Sequence, residues 1–190
     1  EVAALAAATH ERGWLLHMDG ARIANAAVSL SEPIAAFTKD AGVDLLSFGG
    51  TKCGIMAGEA VVALNPEVAR HLPYVRKQGL QLASKMRFLS AQFDALLSDD
   101  LWLQIAGHAN AMARRLRDAI ADVDGVEVTR PTEANAVFVR LPKERIADLQ
   151  AQRFFHVWDP ATGEVRWMTA FDTTEQDVDE FVASVRRLLS

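Results

Sequence analysis

Ser47-Phe48-Gly49-Gly50-Thr51-Lys52-Cys53-Gly54 sets a single lysine in a glycine-punctuated loop between two apolar runs. Upstream, Val-Asp-Leu-Leu-Ser at 43–47 reads as a short buried strand; downstream, Glu-Ala-Val-Val-Ala-Leu at 59–64 reads as another. Gly49, Gly50 and Gly54 permit close backbone approach and positive φ, which a loop wrapped around a ligand often needs. An amine held there against apolar strands would be desolvated. That favours its neutral, nucleophilic form, which suits Schiff-base chemistry. Taken alone, the loop reads equally well as a surface lysine at a hairpin tip.

A second stretch bears on the choice. Trp14-Leu-Leu-His-Met-Asp19-Gly-Ala-Arg22 is an apolar run ending in a carboxylate, a glycine turn and an arginine. An acid where a buried strand ends is the usual place for a ligand contact in an open α/β sheet. Asp19, Arg22 and Lys52, in that order, resemble the cofactor site of pyridoxal-phosphate (PLP) enzymes of the aspartate-aminotransferase fold type. More narrowly, "HMDGARIANA", "SFGGTKCG" and "GEAVVALN" resemble the low-specificity L-threonine aldolase family. The resemblance spans nearly the whole chain, most densely from Trp14 to Leu64, and returns at "VRWMTAFDTT".

The resemblance implies an α/β fold. Residues 1–100 would be the C-terminal part of a fold-type-I large domain, with a mostly parallel sheet covered by helices, and 101–190 a small α+β domain. Members of that family are considerably longer and begin well before Glu1, so the chain is expected to be the C-terminal part of the enzyme. It also implies roles. Lys52 would carry PLP as a Schiff base, and Asp19 would pair with the pyridine nitrogen. Arg22 would approach both the cofactor and the substrate carboxylate, and Arg166 would grip that carboxylate with a planar fork that lysine lacks. Thr51 sits where the family carries a hydroxyl near the cofactor phosphate; its plainer reading is a loop hydroxyl capping local backbone. Arg87, in a basic stretch from Arg76, resembles a residue that reaches a phosphate across a dimer interface. His17 shares a strand face with Asp19 and reads either as that carboxylate's hydrogen-bond partner or as a core histidine.

Composition narrows the classes. Half of the 190 residues are hydrophobic, enough for one good-sized core or two small ones. A net charge of −5 argues against nucleic acid or an anionic membrane as partner. No apolar run approaches the roughly 20 residues of a membrane span. The lone Cys53 excludes an internal disulfide framework and fits a reducing, cytoplasmic setting. The family branch usually has asparagine there, so Cys53 is not expected to be the nucleophile. The five histidines lack metal-ligand spacing, and no metal site is expected.

Along the chain, 1–11 and 21–27 read as helical, and Pro33 to Gly42 as a short helix with a glycine stop. Asn65-Pro66-Glu67 starts a helical tract that reaches Val123, broken near Pro73, Gly79 and Ser98-Asp99-Asp100. Leu101, Ile105, His108, Met112, Leu116 and Ile120 would bury one stripe. Strands at 126–129 and 136–141, a helix at 142–152 and a hairpin at 154–169 follow. Thr174 with Asp177 resembles a capping box for a last helix ending at Ser190.

The function implied is retro-aldol cleavage of a β-hydroxy-α-amino acid, L-threonine or L-allo-threonine, by a homodimer or homotetramer. Three alternatives stand: another PLP β-eliminating lyase, a phenylserine-type aldolase, and an inactive PLP-fold remnant acting as a binding module. The runs 14–18 and 43–47 read as strands buried on both faces, so the segment by itself is expected to expose apolar surface and associate.

Overall fold

The computed structural model describes residues 1–79 and 82–189, in two units, Glu1–Gln104 and Ile105–Ser190. The first unit begins with α1 (Val2–His10), β1 (His17–Gly20), α2 (Ile23–Leu30) and the one-turn α3 (Ile34–Phe37). β2 (Leu45–Gly49), a 3-10 turn over Thr51–Cys53 and β3 (Glu59–Ala63) follow, then α4 (Pro66–Gly79) and α5 (Met86–Leu97). Its sheet has the order β1-β2-β3. β1 and β2 run parallel, with Asp19 opposite Ser47, whereas β3 returns antiparallel to β2. A parallel pair needs a crossover, and α2 with α3 supplies it.

β1 begins at His17, not at Trp14 as the apolar run suggested. The Asp44 carboxylate takes the Leu16 N–H at 2.8 Å, and the Leu16 carbonyl accepts the Asp44 N–H at 2.9 Å. That pairing holds the chain just ahead of the ladder and leaves Trp14 and Leu15 65% and 61% exposed. In β2, Leu46 and Phe48 are buried and Leu45 and Ser47 half-buried, so neither strand is closed on both faces.

α4 runs straight through Pro73, where a break was expected. None of its residues is buried, so water can serve the Ala69 carbonyl that the proline leaves without an N–H partner. Its start follows the sequence: Asn65 Oδ1 accepts the Glu67 N–H at 2.9 Å.

α6 (Leu101–Ile120) spans the boundary between the units. Its buried stripe differs from the predicted one. Met112, Leu116 and Ile120 are buried, but Leu101 and His108 are exposed, and the small Ala106, Ala109 and Ala113 are buried among them. β4 (Glu127–Val128), β5 (Ala136–Arg140), α7 (Lys143–Gln150), β6 (His156–Asp159), β7 (Glu164–Met168) and α8 (Glu175–Leu189) complete the second unit. Its antiparallel sheet has the order β4-β5-β7-β6. Val137, Val139, Val165 and Trp167 share one core with α6 and α8 residues. By strand alternation, Phe138, Arg166, His156 and Trp158 lie on the opposite face.

α8 opens with the predicted capping box. Asp177 Oδ2 accepts the Thr174 N–H at 2.9 Å, and Thr174 Oγ1 accepts the Asp177 N–H at 3.1 Å. The Thr174 hydroxyl and backbone, with Arg153, hold the Asp177 carboxyl down at about 2. Ser190, the expected end of this helix, lies outside the described residues.

Candidate active site

The lysine loop is a single tight turn. The Cys53 N–H donates to the Gly50 carbonyl at 2.9 Å and the Thr51 N–H to the Gly58 carbonyl at 3.1 Å. Cys53 is the buried residue of this turn, its Sγ 3.6 Å from the Trp102 carbonyl oxygen. Phe48 stacks at an angle against Phe93 and Trp102 in the same unit. With its neighbour so anchored, Lys52 stands exposed. The described residues therefore do not give it the apolar enclosure that the sequence suggested. Burial instead acts on Cys53, pushing its thiol up to about 11 and making it a poor nucleophile at neutral pH.

The glycines play two parts. Gly54 sits at φ +104°, a conformation that closes the turn and that side chains rarely adopt. Gly49 serves the chain's own packing: a Cβ there would meet the Ala21 backbone oxygen at 2.5 Å. This contact seats the end of β2 on the turn that follows Asp19. The Asp19 turn and the strand end that leads into the Lys52 turn thus meet at the carboxyl ends of two parallel strands. Open α/β sheets place their ligands there.

Asp19 is exposed, and its Oδ1 accepts the Ala21 N–H at 2.9 Å, which fixes the carboxylate at the start of the turn. Arg22 is the half-buried N-cap residue of α2. His17 Nε2 lies 2.9 Å from Ser47 Oγ, across the parallel pair. Neither reading of His17 holds: the ring is exposed, not in the core, and it meets Ser47, which the register sets opposite Asp19 on the shared face. The Thr51 hydroxyl donates to the Gly58 carbonyl at 3.2 Å and accepts the Gly58 N–H at 3.0 Å. That is the plainer of its two readings. Arg87 is exposed in the first turn of α5, its guanidinium 5.2 Å from the Phe88 ring centre. In the second unit, Arg166 is half-buried with its guanidinium 4.8 Å above the Trp158 ring. Among the described residues, no group of three or more His, Cys, Asp or Glu could hold a metal ion. Likewise, no helix in them is long and apolar enough to cross a membrane.

Residues 1–143 match the profile of the family described as Beta-eliminating lyase. The chain belongs to that family. It is 42% identical over 190 residues to the low specificity L-threonine aldolase of Pseudomonas sp. (strain NCIMB 10558), covering all of this chain and 55% of the relative. A Pseudomonas aeruginosa protein of the same description is 42% identical over 189 residues, again with 55% of its length covered. The chain thus spans about 55% of these relatives. Among solved structures, Leishmania major threonine aldolase superposes with a TM-score of 0.83 at 30% identity, over all of this chain and 56% of that one. The α/β fold and the threonine-aldolase resemblance of the three motifs are both borne out.

Sequence reading missed Asp44. Its carboxylate joins α1, the approach to β1 and the start of α4, and so braces the amino-terminal end of β1 and β2, opposite the end that carries the Asp19 and Lys52 turns. The one signal was a carboxylate inside an otherwise apolar strand run.

Proposed function

We propose that this chain carries part of the active site of a PLP-dependent aldehyde-lyase that cleaves L-threonine or L-allo-threonine to glycine and acetaldehyde. The observation that carries the reading is the pairing of two turns at parallel strand ends, one presenting the Lys52 amine and the other the Asp19 carboxylate. Those groups fit PLP: an exposed primary amine for its aldehyde and an exposed carboxylate for its ring nitrogen.

When bound, PLP supplies the electron sink for breaking the Cα–Cβ bond. Lys52 Nζ would hold the cofactor through its aldehyde, Asp19 would keep the ring nitrogen protonated by its charge, and Arg22 would contact cofactor and substrate. The Thr51 hydroxyl has one donor, now directed at Gly58, so donating to a phosphate requires it to turn away. Arg87 offers a further cation for that phosphate. Arg166 receives the substrate carboxylate through its planar fork. In this reading the first unit belongs to the PLP-binding large domain and the second is the small α+β domain. The enzyme is a low-specificity, cytoplasmic homodimer or homotetramer.

Borohydride reduction of the PLP-loaded enzyme followed by peptide mapping tests the assignment. The label is expected on Lys52, and Lys52→Ala should lose both label and turnover while keeping its circular dichroism. Label on another lysine overturns the site. Product analysis separates the rival favoured by the family description. Glycine with acetaldehyde marks retro-aldol cleavage, whereas 2-oxobutanoate with ammonia marks β-elimination. A folded full-length protein that takes up no PLP counts against the enzyme and for the inactive remnant.

A further inference from the structure

On the open face of the second unit's sheet, two arginines share one aromatic pair, and only one of them is neutralised. Phe138 and Trp158 meet edge to face with ring centres 5.3 Å apart. The Arg130 guanidinium lies 4.4 Å from the Phe138 centre and 5.8 Å from that of Trp158, and the Arg166 guanidinium lies 4.8 Å over Trp158. Arg130 donates to Glu164 through Nη2 to Oε2 at 2.7 Å and Nε to Oε1 at 3.3 Å. The Thr129 hydroxyl donates to the same Oε1 at 2.6 Å. Both oxygens of a carboxylate only 9% exposed are therefore occupied. Arg166 makes no ion pair among the described residues, and its Nε is buried without a hydrogen-bond partner.

Glu164 and Arg166 lie two residues apart on β7 and so share a face, about 7 Å apart along the strand. Two long side chains can close that gap. The other cation facing Glu164, Arg140 directly across the ladder, is already paired with Glu127, so a released Glu164 would be the nearest counter-ion for the unpaired Arg166. Stacking on a ring face, in contrast, uses none of the guanidinium's N–H donors. We infer that Arg130 is a positioning residue for the carboxylate site: with Thr129 it clamps Glu164, withholding that carboxylate from Arg166 and leaving the Trp158-backed guanidinium open to the substrate's carboxylate. This rests on the reading of Arg166 as the substrate-carboxylate receiver.

Arg130→Met keeps an apolar stem beside Phe138 and removes the clamp. In the PLP-loaded enzyme, KM for L-threonine should rise about tenfold, the scale of one charge-assisted hydrogen bond, with kcat changed far less. Arg130→Lys, which keeps the charge, should stay close to wild type. Arg130→Met/Glu164→Gln should return KM toward wild type, because the freed competitor is gone. A second readout needs no turnover: the Arg166 side-chain Nε–H resonance should shift in Arg130→Met without substrate, and revert in the double variant. An unchanged KM and resonance in Arg130→Met, or a defect that Glu164→Gln does not relieve, overturns the inference. Arg166→Met separates the two levels. If it leaves KM unchanged, the carboxylate reading fails; if it raises KM while Arg130→Met does not, only the clamp fails.

Discussion

His10 Nε2 and Asp44 Oδ2 lie 2.8 Å apart, tying α1 to the residue that leads into β2. The same carboxylate accepts the Leu16 N–H at 2.8 Å and the Asn65 Nδ2–H at 2.6 Å, at a site only 5% exposed. Burial alone would raise the Asp44 carboxyl, but the bonds from Asn65, His10 and Leu16 outweigh it and hold it below its ordinary 3.8. A depressed acid stabilises the fold fully above its unfolded value, and that contribution fades as pH falls through the lower folded one.

Asp44→Ala strands three donors at once and should destabilise the protein by roughly 3 kcal/mol at neutral pH. The deficit should shrink as the pH is taken below 3.8. Denaturant titrations at neutral and acid pH measure both. An equal deficit at the two pH values would show that the ionised carboxylate is not its source.

Cys53 is expected to resist alkylation. Its thiol is buried and pushed up to about 11, so little thiolate exists at neutral pH. In the folded protein iodoacetamide should label it far more slowly than in denaturant, and Cys53→Ala should retain turnover. Labelling at equal rates in both states would contradict the buried anchor described for the lysine turn.

The legible features were local ones. Gly54 and the Thr174–Asp177 box announce their conformations within a few residues, because turn and cap chemistry is short-range. Pro73 misled for the complementary reason: its local rule holds, yet an exposed helix lets solvent repair the missing bond. Asp44 stayed hidden because its meaning arises only when donors from residues 10, 16 and 65 converge on it. His17 shows how register overrides adjacency, since only the pairing of β1 with β2 presents Ser47 to its ring. Likewise, nothing in "VRWMTAF" reveals that Trp158 lies beneath Arg166; the hairpin register brings them together.

Asp19→Asn isolates charge from shape. An asparagine oxygen can still accept the Ala21 N–H, so the turn should persist. If the carboxylate holds the ring nitrogen protonated, turnover should fall by about two orders of magnitude or more, with the borohydride label on Lys52 retained. Single-turnover kinetics on the PLP-loaded variant measure this. A kcat near wild type would remove Asp19 from the electron-sink role.

Arg166→Lys keeps a positive charge but loses the fork and the flat face that stacks on Trp158. A lysine ammonium binds a carboxylate as a point charge and is freer to wander, so KM for L-threonine should rise about tenfold or more. PLP affinity should stay near wild type, because the residue is assigned to the substrate and not to the cofactor. Titration of PLP by absorbance, alongside steady-state kinetics, separates the two. If PLP affinity collapses while KM holds, Arg166 serves the cofactor phosphate. If both hold, the open guanidinium over Trp158 is a feature of the sheet surface, and the substrate carboxylate must be bound by Arg22 or by residues outside this chain.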